Sequence, residues 1–157
     1  MLNYRSTFHF LVIACALHSS LFCTAQTTAV PMSKRQITET MAKVRNGKTS
    51  TIRTDAAEHL AELTRGIDPN KVDDATLTEL EYLLDTSEDS VRYWVAATLG
   101  NLGPRAKVAV PKLLKLLAEV DCARGSLTSA PAIRSALERI GVTPPPPPNC
   151  DAKKEQK

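Results

Sequence analysis

The chain has 157 residues, 20 basic against 17 acidic side chains, and aromatic residues at only 4%. So small a positive balance argues against nucleic acid or an anionic membrane surface as the target. The scarcity of aromatics leaves Ala, Leu, Val and Ile to build the core, which favours closely packed helices over a β-sandwich.

Met1 to Arg5 carry one positive charge and precede the apolar run Phe8 to Ala16, interrupted by His9. Cys23-Thr24-Ala25 then sets small residues at the third and first positions before a cut. This pattern predicts a secretory signal over residues 1–25, cleaved after Ala25. The apolar run is too short to span a bilayer, which needs about 20 residues. The alternative is Val12-Ile13-Ala14-Cys15, which has the form of a lipoprotein box and would place a lipid on Cys15. After cleavage 132 residues remain, enough for one domain and free of any further stretch apolar enough to cross a membrane.

A polar, mobile leader is expected over 26–32, followed by a helical domain over 33–141 and a proline-rich charged tail over 142–157. Ser33 is a candidate cap for a helix whose Ile37, Met41 and Val44 share one face and which stops at Asn46-Gly47. Thr51 is expected to cap the next helix, with Ile52, Ala56, Leu60 and Leu63 on its apolar face. Asp68-Pro69 marks a loop, and Asp73 or Asp74 caps a helix bearing Leu77, Leu80, Leu83 and Leu84. The next helix starts at Ser87 to Ser90, buries Val91, Val95, Leu99 and Leu102, and ends at Gly103-Pro104; Gly100 and Gly103 read as its ending pair. Pro111 opens a Leu-rich helix, and after a Gly/Ser-containing loop Ala130 to Ile140 forms a last helix stopped by Gly141.

Charge is banded along the domain. Lys34 to Lys48 is net +4, Arg53 to Asp89 net −8, and Arg92 to Arg139 net +5.

Three segments repeat. Ile52 to Thr64 superposes on Val91 to Gly103 at an offset of 39, pairing Arg53 with Arg92 and Leu60 with Leu99. Val91 to Gly103 superposes on Ser129 to Gly141 at 38, pairing Val95 with Ile133 and Gly103 with Gly141. A period of this size with two helices per unit predicts an all-α protein, a short right-handed α-solenoid of about two and a half helix pairs with an N-terminal capping helix.

These residues resemble the HEAT-repeat family, most closely over SEDSVRYWVAATLGNLGPRAKVAVPKLLKLL, Ser87 to Leu117. The resemblance implies antiparallel helix pairs in a curved stack. It also implies that Arg53 and Arg92 pair with acidic residues of neighbouring units. The third unit departs from the pattern, with Ala130 in the arginine position and no second helix.

No catalytic constellation emerges. His59 is the one histidine of the mature chain and is expected at the surface, with Glu58 and Glu62 nearby and no nucleophile at a suitable spacing. No Cys-x-x-Cys or His-x-x-x-His pair suggests a metal site, and no cofactor is expected. The carboxylates Asp73, Asp74, Glu79, Glu81, Asp85, Glu88 and Asp89 form either a solvated rim or a dock for a basic partner. Trp94, beside Tyr93, is either core packing or a binding anchor. Lys112 and Lys115 on the second helix of the best-matched unit, with Arg105 and Lys107 in the loop before it, form a basic patch. It either meets an acidic partner on the concave side or pairs with the acidic helix before it.

The mature chain keeps Cys122 and Cys150, an even number for an oxidising compartment, and they are expected to form a disulfide. Pro144 to Pro148 would run back along the last helix to bring them together. The expected function is that of an exported, non-catalytic, monomeric protein-binding module, such as an adaptor, an inhibitor or an immunity-type protein. The alternative is an accessory or scaffold subunit of a cell-envelope enzyme or assembly. Kinship with helical-repeat bilin lyases is disfavoured by export and by the lack of a histidine or cysteine near a groove.

Overall fold

A computed structural model describes residues 34–121 and 128–148. The expected signal, leader and Ser33 cap, residues 122–127 of the loop before the last helix, including Cys122, and Cys150 lie outside the described residues. Within them the chain forms α1 (Lys34–Asn46), α2 (Ser50–Thr64), a 3-10 turn (Pro69–Lys71), α3 (Asp74–Leu83), α4 (Asp89–Asn101), a second 3-10 stretch (Gly103–Ala109), α5 (Val110–Val120) and α6 (Ala130–Ile140). The pairs α2/α3 and α4/α5 are the two complete repeats, α1 is the N-terminal cap, and α6 is the unpaired half. This is the all-α solenoid that the period of 38 to 39 predicts.

The helix ends follow local chemistry. Thr49, not Thr51, caps α2: its extended backbone lets its hydroxyl accept from the Ile52 N–H at 3.2 Å. Thr51 lies one residue inside the helix, where its own backbone conformation precludes that role. Asp73 caps α3, accepting from the Thr76 N–H at 2.8 Å. Gly141 ends α6 at φ +95, with Gly141 N–H on the Glu138 carbonyl and Val142 N–H on the Leu137 carbonyl at 3.0 and 2.8 Å. That pair of bonds is a Schellman motif.

Gly100 departs from the expected role. Gly103, at φ +53, ends α4 alone, whereas Gly100 lies inside the helix with its Cα against α6. A Cβ there would sit 3.0 Å from the Ala136 Cα, so the glycine sets how closely α4 and α6 approach.

The first helices α2, α4 and α6 pack in a row, with α1 continuing it before α2. Small side chains sit between the helices: Ala57, Ala96 and Ala136 are at most 1% exposed, and Leu60, Leu99 and Leu137 are fully buried at equivalent positions. Ile52 is the exception to the repeat. It is 47% exposed, whereas its equivalent Val91 is 1% exposed. Leu83 of α3 and Thr86 just after it line one hollow together with Val91, and the single-helix cap α1 offers no second helix to do the same for Ile52.

Candidate partner-binding surfaces

Arg53 pairs with a carboxylate of the neighbouring unit as the resemblance implies, whereas Arg92 does not: its carboxylate belongs to its own helix. Arg53 Nε lies 2.6 Å from Glu88 Oε1 of the next unit, and the guanidinium also donates to the Gly47 carbonyl. This contact holds the Glu88 carboxyl below the usual carboxylate range. Arg92 makes the equivalent backbone contact, to the Thr86 carbonyl six residues before it. Its carboxylate partner is Asp89 of its own helix at 3.0 Å. Asp89 in turn accepts from the Ser129 N–H and hydroxyl at 3.1 and 2.6 Å, and so carries the link into the third unit.

The banded charge is largely internal. Acidic α3 lies between two basic neighbours and is tied to both. From α1, Lys34 pairs with Asp73 at 2.5 Å and Arg45 pairs with Glu79. From the second unit, Arg105 pairs with Asp74 at 2.5 Å and Lys112 with Asp85 at 2.8 Å. Lys34, with the Thr76 N–H, holds the Asp73 carboxyl well below the ordinary carboxylate range. Of the seven rim carboxylates only Glu81 has no ion pair among the described residues. An open acidic dock is therefore not what α3 presents.

The same pairs divide the expected basic patch. Arg105 and Lys112 are bound to α3, whereas Lys107 and Lys115 are exposed and without an ion pair among the described residues. Tyr82 of α3 is 62% exposed, and Val108 of the 3-10 stretch before α5 is 51% exposed. Sequence reading passed over Tyr82, because it lies beside Leu80, Leu83 and Leu84 in an apolar run.

Trp94 packs against the core and also borders a groove. It is half-buried against the core and meets the Tyr93 ring edge-on, with centroids 5.1 Å apart. It also lines a groove of about 280 Å³ across α2, α4 and α6, with Ala97, Pro131, Arg65 and Arg139. His59 is exposed, 3.9 Å from Glu62. Among the described residues no three His, Cys, Asp or Glu side chains are grouped to hold a metal ion. No described helix is long and apolar enough to cross a membrane.

Helix pairs of this length, tied by arginines and with a first helix ending at Gly103-Pro104, have a counterpart among known families. Residues 91–119 match the PBS lyase HEAT-like repeat. The match to this HEAT-like repeat covers most of α4, the 3-10 stretch and nearly all of α5, one helix pair of the stack. It corresponds to the segment with the closest sequence resemblance. No curated protein and no solved structure matches the chain. The HEAT-like match supports a helical repeat module; the lyase in its description belongs to the proteins for which the repeat is named.

Proposed function

We propose that this protein is an exported, non-catalytic binding module that docks another protein against its second-helix layer. The observation that carries the reading is the surface left over once the stack is complete. Four ion pairs join α3 to its neighbours, yet Lys107, Lys115 and Tyr82 project without such partners. Exposed tyrosine is enriched at interface centres, where a few such side chains carry most of the binding energy. Stacked repeats give that surface rigidity, so little conformational entropy is lost on binding.

Export rests on the N-terminal residues 1–25, and the disulfide between Cys122 and Cys150 belongs to the same proposal. Adaptor, inhibitor and immunity roles share this surface. Affinity capture of the protein from its native host tests the reading, with the Lys107→Glu/Lys115→Glu variant as control. A stoichiometric partner lost from the variant is the expected result. A partner bound equally by both proteins moves the interface elsewhere.

A further inference from the structure

The eight arginines of the described residues fall into two classes. Arg35, Arg45, Arg53, Arg92, Arg105 and Arg134 each face a carboxylate within the domain. Arg65 and Arg139 face none among the described residues, and both line the groove that Trp94 borders. Their places at the ends of α2 and α6 suit a cation beside a helix C-terminus. That accounts for each singly, but not for two unmatched guanidiniums in one groove whose lining includes no Asp or Glu.

The groove has two unlike ends. Arg139 donates to the Asn101 Oδ1 at 2.8 Å, and Asn101 donates to the Ala61 carbonyl at 2.8 Å, which fixes the cationic end at the last residue of α4. Trp94 and Tyr93 lie two turns earlier on the same helix, about 10 Å away at 1.5 Å per residue. Ala97, Ala132 and Ala136 keep the floor between them low. An extended peptide advances about 3.3 Å per residue, so three residues span the two ends.

We propose that this groove binds an extended segment of the partner protein, with an acidic side chain on Arg65 and Arg139 and a proline or other apolar side chain on Tyr93 and Trp94. The proposal rests on the protein-binding reading above and adds a second surface and the chemistry of its ligand. Two guanidiniums sharing a groove attract a carboxylate, which can accept bidentate bonds from them. Aromatic faces beside them take proline, as in other polyproline-binding grooves. A nucleic-acid strand fits less well, because its affinity comes from a track of many phosphate contacts, and this groove has two cations.

The chain has one tryptophan, so Trp94 emission reports the site directly. The exported protein is titrated with acetyl-Pro-Pro-Ala-Ala-Glu-Glu-amide and with the same peptide carrying Gln for both Glu. The acidic peptide is expected to saturate and shift the emission, and the Gln peptide to bind about tenfold more weakly. Arg65→Gln, which removes no described hydrogen bond, is expected to weaken the acidic peptide several-fold, and Arg65→Gln/Arg139→Gln at least about tenfold. Equal binding of the two peptides, no saturation, or an unaffected Arg65→Gln variant overturns the proposal. So does tighter binding of oligo(dT), or a wild-type dimer in sedimentation that Arg65→Gln dissociates, which would put a second copy in the groove. A partner captured from the host that ignores Arg65→Gln overturns this site and leaves the binding module standing.

Discussion

Asp89 holds Ser129 by two hydrogen bonds, one from the backbone N–H and one from the hydroxyl. It does so where the third unit carries Ala130 in place of the ladder arginine, so one carboxylate links Arg92 to α6. Asp89→Ala should destabilise the domain by about 2–3 kcal/mol, since it leaves the Arg92 guanidinium and the Ser129 N–H without this partner. Ser129→Ala, which keeps the backbone bond, should cost about 1 kcal/mol. Urea denaturation followed by circular dichroism measures both, and equal costs would contradict the bridging role.

Acid should loosen the stack through Glu88 and Asp73. Both carboxyls lie below their ordinary range, Glu88 because of Arg53 and Asp73 because of Lys34. The folded state therefore binds these protons more weakly than the unfolded chain. Their stabilisation is fully present above the unfolded carboxylate range near pH ~4 and is lost as pH falls through the lower folded values. Stability measured between pH ~6 and ~2 should fall less steeply in Glu88→Gln than in the parent. An unchanged slope would show that this rung contributes nothing to acid sensitivity.

Lys112 and Lys115 should separate under charge reversal. Lys112 lies 2.8 Å from Asp85 and donates to the Glu81 carbonyl, so Lys112→Glu sets two carboxylates together and should cost about 1 kcal/mol. Lys115 has no such partner among the described residues, and Lys115→Glu should leave the urea midpoint unchanged. The partner of Lys112, Asp85 just after α3, makes the difference.

The proline tail is already turned back along α6. The Arg134 guanidinium reaches Asp121 and the Pro145 carbonyl, each at 2.5 Å, so it ties the residue before Cys122 to the tail that leads to Cys150. The exported protein should begin at Gln26 and show no free thiol under non-reducing denaturation. Closing this loop would contribute roughly 3 to 4 kcal/mol by chain entropy. Intact mass and thiol counting check both; two free thiols would refute the bond, and a lipid on Cys15 would refute the cleavage site.

What could be read from residues and what could not divide along a physical line. Leu60 and Leu99, Arg53 and Arg92, and the stop at Gly141 repeat along the chain, so period and helix-end chemistry disclosed them. Ile52 kept the pattern but not the burial, because burial depends on which helix stands opposite. Gly100 read as a helix end because its use, close approach to Ala136, exists only once α4 and α6 pack. The basic patch read as one surface, although Arg105 and Lys112 face α3 and only Lys107 and Lys115 do not. Arg65 and Arg139 are 74 positions apart, and nothing but the fold brings them to one groove.

The measurement closest to the central claim is sedimentation of the complex captured from the native host, compared between the parent and Lys107→Glu/Lys115→Glu. The expected result is a defined heteromeric species for the parent, absent in the variant, while the two proteins share one circular dichroism spectrum. A parent protein that sediments alone at its native concentration in the host extract would contradict a binding function for this stack.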